Sequence, residues 1–235
     1  MNFLDLCRKA ARDSGTLAGG GLSVFTTVEA ASGRGGKIVG WVSDAWVNIQ
    51  NEHDDWMWMQ REFGHALTIG EMRYSAASLG VDRLGKWITS GDCEWPFTIY
   101  EPTSQADENP LRFIPYETWR ARYARGAHDA GRPIEFSVSP QMEIVVGPKP
   151  DRAYVVSGEY VASPQVLAAD TDIPEMPAQY HNVIVWEAIK LMSISDEAAF
   201  ALQTSVGEYA RIRDALSRDQ RPKVRISYSP DTVIA

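Results

Sequence analysis

The sequence predicts an α+β protein: a helical-bundle body made by the N-terminal and C-terminal helices, with a β-rich middle inserted between them. Three observations predict it. Apolar residues recur at helical spacing near both ends of the chain, in residues 2–53 and 178–217. Between those stretches, short apolar runs are broken by Gly, Pro, Asp and Ser, the pattern of strands and turns. No repeat of solenoid type is visible. Residues 1–55 and 176–235 are therefore expected to form the body with a C-terminal arm, and residues 56–175 the insertion.

Each element has its own signal. Phe3, Leu6, Cys7 and Ala10 share one face of a helix over 2–13, which Ser14-Gly15 ends. Residues 15–36 are Gly-rich loop, with a possible extended stretch at Ser23–Val28. Ile38, Trp41, Val42, Ala45, Trp46 and Ile49 lie on one face of a helix over 37–53, within roughly 140° at about 100° per residue. Asp54-Asp55 opposes the negative end of its dipole, so it stops near His53. Short strands are expected from Trp56 to Tyr74, with turns at Gly64 and Gly70, then at Trp87-Ile88, Phe97–Tyr100 and Leu111–Ile114. Residues 101–110 are expected to be a polar acidic loop. Pro115 opens a helix over 115–125 with Trp119 and Tyr123 on one face. Strands follow at Ile134–Val138, where alternation suggests one buried face, at Glu143–Val146 and at Ala153–Tyr160. Residues 161–177 are a Pro- and Asp-rich linker. Two helices close the fold. The first, over 178–193, is apolar on a wide arc; the second begins at Ser195 and carries a stripe of Ala198, Leu202, Val206, Tyr209, Ile212 and Leu216. The tail KVRISYSPDTVIA alternates Val224, Ile226 and Tyr228 with polar residues and reads as a strand or extended arm.

The composition narrows the function. A net charge of -8 is the wrong balance for a general nucleic-acid binder, which needs surplus Lys and Arg. The 2 cysteines, Cys7 and Cys93, form no CxxC pair, which argues against a disulfide framework or a cysteine metal site. No signal-peptide pattern and no run of about 18 apolar residues is present, so no membrane span is expected. The 8 Trp fit cores and protein interfaces.

The motifs that resemble chemistry fall short of it. Gly33-Arg34-Gly35-Gly36-Lys37 lacks the spacer of a phosphate loop, and Ile38 stands where Ser or Thr would hold magnesium. His53, His65, His128 and His181 are scattered, and neither HExxH nor GxSxG occurs. Asp170-Thr171-Asp172 offers two carboxylates for a cation, but turn-forming aspartates explain it better. Arg120, Arg122 and Arg125 beside Trp119 and Tyr123 read as a helix with a buried aromatic face and a solvated basic face. No catalytic residue, metal ligand or cofactor site is assigned, and the chain is not expected to be an enzyme.

Surface chemistry points to assembly. Trp56 and Trp58 alternate with Met57 and Met59, so a strand with one buried face leaves large apolar groups uncovered. Val47 sits on the polar face of its helix. With Trp119 and Trp186 these residues are the candidate inter-subunit contacts.

The order of segments carries a resemblance. Leu6-Cys7-Arg8 lies in an opening helix; Thr26-Thr27-Val28 and a Gly-rich bend follow; then comes the helix Ile38-Val39-Gly40-Trp41-Val42-Ser43-Asp44-Ala45-Trp46-Val47-Asn48-Ile49-Gln50 and the run Asp55-Trp56-Met57-Trp58-Met59. Over roughly the first 60 residues this resembles the head–tail adaptor (connector) proteins of tailed bacteriophages, particularly short-tailed ones; beyond that the likeness is one of layout. The resemblance implies a structural virion protein of the neck, assembled in the host cytoplasm. It implies a homo-oligomeric ring, usually of twelve copies, docked beneath the portal protein. Such a ring continues the DNA channel, lets viral DNA pass without specific binding, and offers a platform to a downstream tail or nozzle protein. By analogy, the segment that grips the portal is the tail, with Arg221, Lys223, Arg225, Ile226, Tyr228, Val233 and Ile234 as its candidate contacts. Another neck or tail subunit, an enzyme with a dispersed site, and a binding module with a β-rich ligand surface remain as alternatives.

Overall fold

The computed structural model describes residues 1–15, 26–89 and 96–220. In chain order the elements are α1 (Phe3–Asp13), α2 (Gly33–Asn51), β1 (Gln60–Ala66), β2 (Arg73–Tyr74), β3 (Leu84–Trp87), β4 (Phe97–Glu101), β5 (Ser104–Pro110), β6 (Arg112–Phe113), α3 (Tyr116–Tyr123), β7 (Glu135–Val138), β8 (Ile144–Gly147), β9 (Val155–Ala162), α4 (Asn182–Ser195) and α5 (Ala199–Gln220). The described residues thus form a mixed α+β protein with five α-helices and two sheets. They fall into two compact units. The first takes its residues from 1–61, 81–87 and 160–220, the second from 62–80 and 88–159. Residues 56–61, 81–87 and 160–175, read from the sequence as insertion, therefore belong to the unit that holds the terminal helices.

In the first unit α4 packs against α1, α2 and α5, and α1 packs against α2. The wide apolar arc of α4 is what this demands: Val183, Ile184, Val185, Ala188, Ile189 and Met192 are all buried. The Asn2 side chain caps α1 by accepting from the Asp5 amide at 2.8 Å, and Phe3, Leu6, Cys7 and Ala10 are buried beneath it. Helix α2 begins at Gly33, earlier than its apolar stripe. Ser32 holds the extended N-cap conformation, and at Gly36 a Cβ would stand 3.1 Å from the Ala31 carbonyl oxygen, so the entering chain passes tightly over this position. The residues around 161–177 are not a free linker. The Gln50 side chain donates to the Gln165 carbonyl at 2.9 Å and accepts from the Gln165 amide at 2.7 Å. Trp46 Nε1 donates to the Gln165 side chain at 3.1 Å, and Gln50 is buried. This replaces the backbone pairing that an irregular segment lacks. Asp170 and Asp172 act in the same way. Asp170 accepts from the Val28 amide at 2.7 Å, and Asp172 accepts from the Ala168 and Ala169 amides at 2.7 and 2.8 Å. Those amides hold the Asp172 carboxyl below its ordinary range, so this is turn chemistry.

In the second unit β9, β4 and β5 run antiparallel, with β1 on the other side of β9. The second sheet has the order β2-β8-β7-β6, in which only β6 and β7 are parallel. An aromatic ladder fills this unit's core. Ring centroids are 5.7 Å apart for Phe63 and Phe97, 4.2 Å for Phe97 and Phe136, and 5.5 Å for Phe136 and Phe113. Gly158 of β9 makes room for it: a Cβ there would stand 2.7 Å from the Phe97 ring and 2.9 Å from the Phe63 ring.

Four sequence expectations are corrected. Met57–Met59 is a single 3-10 turn and β1 starts at Gln60, with Gly64 inside the strand. The acidic loop at 101–110 is largely strand β5, because the free edge of β4 supplies backbone partners that propensity does not foresee. Along β7 the alternation is inverted at its start: Ile134 is 57% exposed and Glu135 is buried, because two arginines and a tyrosine receive the carboxylate. On α5 Val206 of the expected stripe is exposed, whereas Tyr209 and Leu216 of the same stripe are buried, with Ser205 buried as well. The first half of the Ser23–Val28 stretch, and the whole tail, lie outside the described residues.

Candidate interaction surfaces

Among the described residues of the first unit, the α4–α5 turn is an exposed apolar knob. At the α4–α5 turn, Ile194 is 58% and Phe200 84% exposed. The turn is fastened to the start of α2 by Arg34, which donates to Asp196 at 2.9 Å and lies over the Trp41 ring at 4.9 Å from its centroid. Between them Glu197 is exposed and adopts φ 54, a left-handed conformation that is costly for any residue with a Cβ. Farther along the hairpin, Tyr209 donates to Glu52, and Arg213 pairs with Glu52 at 2.9 Å. Burial and the Glu52 carboxylate push the Tyr209 hydroxyl far above its ordinary value, so it stays a donor.

The second unit presents a groove of about 360 Å³ beside a fixed cation. Its walls include Pro96, Pro110, Leu111, Phe113 and Phe136, with Arg112 at the rim. Glu135 sets that rim. Its carboxylate is 1% exposed and accepts from Arg122 at 2.6 Å, from the Tyr123 hydroxyl at 2.9 Å and from Arg112. Burial pushes the Glu135 carboxyl up, but the three donors outweigh it and hold it below its ordinary value. The guanidiniums stay open to solvent, 70% for Arg112 and 49% for Arg122.

The residues singled out in the sequence are distributed unevenly. Trp56 is fully buried, donates to the Ile49 carbonyl at 3.1 Å and stacks on Trp58 at 4.3 Å. Trp119 is buried and donates to the Val146 carbonyl at 3.0 Å. Both serve their own unit's core and leave no surface for a neighbour. Val47, Trp58 and Trp186 are half-buried and retain some surface. Arg221, Lys223, Arg225, Ile226, Tyr228, Val233 and Ile234 lie outside the described residues. Arg122, expected on a solvated face, is ion-paired to Glu135, while Arg120 pairs with Glu117 at 3.6 Å. Sequence reasoning missed Phe200, Ile194 and the Glu135 cluster. The one available signal is that Phe200 lies off the stripe expected for the second closing helix.

Among the described residues, no group of three or more His, Cys, Asp or Glu is placed to hold a metal ion. Among them too, no helix is long and apolar enough to cross a membrane. His181 is buried, with Nε2 3.1 Å from the Met176 carbonyl, and burial lowers its pKa. Burial raises the Cys7 thiol to about 12, which leaves it unreactive.

Burial and bonding thus commit most of the distinctive side chains to architecture, while Ile194, Phe200 and the Arg112 guanidinium stay exposed. A family model matches nearly the whole chain and defines its class, a structural adaptor of bacteriophage. The family model described as SU10 adaptor protein matches residues 1–233 of the 235, and the chain belongs to that family. The match extends the resemblance to head–tail adaptors from the first 60 residues to nearly the whole chain. No curated protein matches it.

Proposed function

We propose that this chain is the repeating subunit of a head–tail adaptor ring. Twelve copies dock beneath the portal, continue the DNA channel and offer a platform to the next tail or nozzle protein. The helices of the first unit act as the helical-bundle body. Val47, Trp58 and Trp186 contribute to contacts between neighbours. The tail grips the portal through Arg221, Lys223 and Arg225 together with Ile226, Tyr228, Val233 and Ile234. The observation that carries this reading is the family match across residues 1–233. The physics supports it: ring closure needs a heterologous surface on every subunit, and a chain of net charge -8 gives passing DNA few phosphate contacts.

Cryo-electron microscopy of the protein mixed with its portal tests the proposal. The expected result is a closed collar coaxial with the portal. Density for scattered single subunits, or none on the portal, overturns it. Deleting residues 222–235 tests the tail separately, and the expected outcome is a folded subunit with weakened portal docking. Unchanged docking removes the tail from the account.

A further inference from the structure

We infer that the α4–α5 turn of one copy inserts into the Phe113 groove of a second copy, which names the surfaces of the ring contact proposed above and rests on that reading. The knob is apolar and carries an exposed acidic residue: Phe200 is 84% and Ile194 58% exposed, and Glu197 lies between them in the chain. The hole is the complement. Its walls are Pro110, Leu111, Phe113 and Phe136, its rim carries the Arg112 guanidinium at 70% exposure, and about 360 Å³ of space lies between. That volume falls in the range of pockets that receive drug-sized groups, so an aromatic side chain fits.

Three further observations favour this occupant. Both sides are held before contact. Arg34 fastens the knob through Asp196, and Glu135 fixes Arg112 from below, so little conformational freedom is lost on docking. Docking would enclose the Phe200 ring beside an arginine, and a few such enclosed anchors carry most of the binding energy in protein interfaces. Glu197 then sits at φ 54, where glycine would carry no steric penalty. That conformation is the left-handed end of α4, with the Ala198 amide donating to the Ser193 carbonyl at 3.0 Å; it holds an exposed carboxylate three residues before Phe200, opposite in charge to the Arg112 guanidinium. The contact is heterologous: each copy keeps a free knob or a free hole for the next, as a ring requires.

Cross-linking tests the contact. Two tagged chains, one carrying Phe200→Cys and the other Phe113→Cys, are mixed in a Cys93→Ser background and treated with a short bismaleimide, with and without portal. Thr89→Cys, on the same groove wall, replaces Phe113→Cys if that variant does not fold. The expected product joins one chain of each tag. Failure to form it in either sample, or pairing of Phe200→Cys chains with each other at the same yield, overturns the inference. Glu197→Gly gives the second readout. It relieves the backbone and removes the charge, so we expect an unchanged or raised Tm with association on the portal weakened roughly tenfold. Unchanged association overturns the role of Glu197. Rings that form without the cross-link refute this contact and leave the ring standing, whereas absence of rings on the portal refutes the ring itself.

Discussion

Replacing Gly158 by alanine sets two effects of opposite sign against each other. Gly158 does not occupy the left-handed region, so alanine fits its backbone. On that ground alone the substitution would stabilise by about 0.4–1 kcal/mol, by restricting the unfolded chain. The new Cβ, however, would stand 2.7 Å from Phe97 Cε1, 2.8 Å from Phe97 Cδ1 and 2.9 Å from Phe63 Cε1. Phe97 is 0% and Phe63 8% exposed, and Phe97 is stacked on Phe136, so neither ring swings out freely. Overpacking of this kind costs about 1–3 kcal/mol. The clash wins, and we expect a net loss of about 1–2 kcal/mol, measured by urea denaturation. A fall in Tm of roughly 2–8 °C corresponds to it at about 2–4 °C per kcal/mol for a chain of this size. Adding Phe63→Leu should recover part of the loss, a coupling that only neighbouring groups show. Equal or greater stability for Gly158→Ala, or strict additivity with Phe63→Leu, refutes the account of this core.

Other perturbations probe other parts of the molecule. Gln50→Ala removes the partners of both backbone groups of Gln165; the expected cost is about 2 kcal/mol, with faster hydrogen exchange at the Gln165 amide and little change in α5. Glu135→Gln should lower stability near neutral pH. Because the folded carboxyl is held below its ordinary value, the wild-type advantage is present above about pH 4.5 and is lost as pH falls through the folded pKa, so denaturation curves of the two proteins should converge in acid. His181 has a lowered folded pKa, so below about pH 6.5 the unfolded state takes up a proton that the native state refuses. Stability should therefore drop between pH 7 and 5.5, and His181→Asn should flatten that slope.

The terminal helices were legible because their apolar residues repeat at the helical period and little competes with that signal: Phe3, Leu6, Cys7 and Ala10 all reach the core. The middle was less legible because its elements depend on distant partners. Nothing local in SQADENP says strand; the edge of β4 does. Ile134-Glu135 reads as apolar-in and polar-out, yet Arg112, Arg122 and Tyr123 invert it. Trp56 and Trp119 stand among the candidate inter-subunit contacts. Their indole donors have carbonyl partners inside the fold, at Ile49 and Val146, which spacing does not reveal. Phe200 lies in a sequence of ordinary helical composition, and only the packing of α4 on α5 leaves it uncovered.

The proposed ring requires many copies holding one another in a collar, and copy number tests that most directly. Neck complexes released from mature particles can be weighed by native mass spectrometry and this chain counted against the portal. The account predicts twelve copies per complex in a single closed assembly. One copy, or a variable number with no closed state, contradicts it.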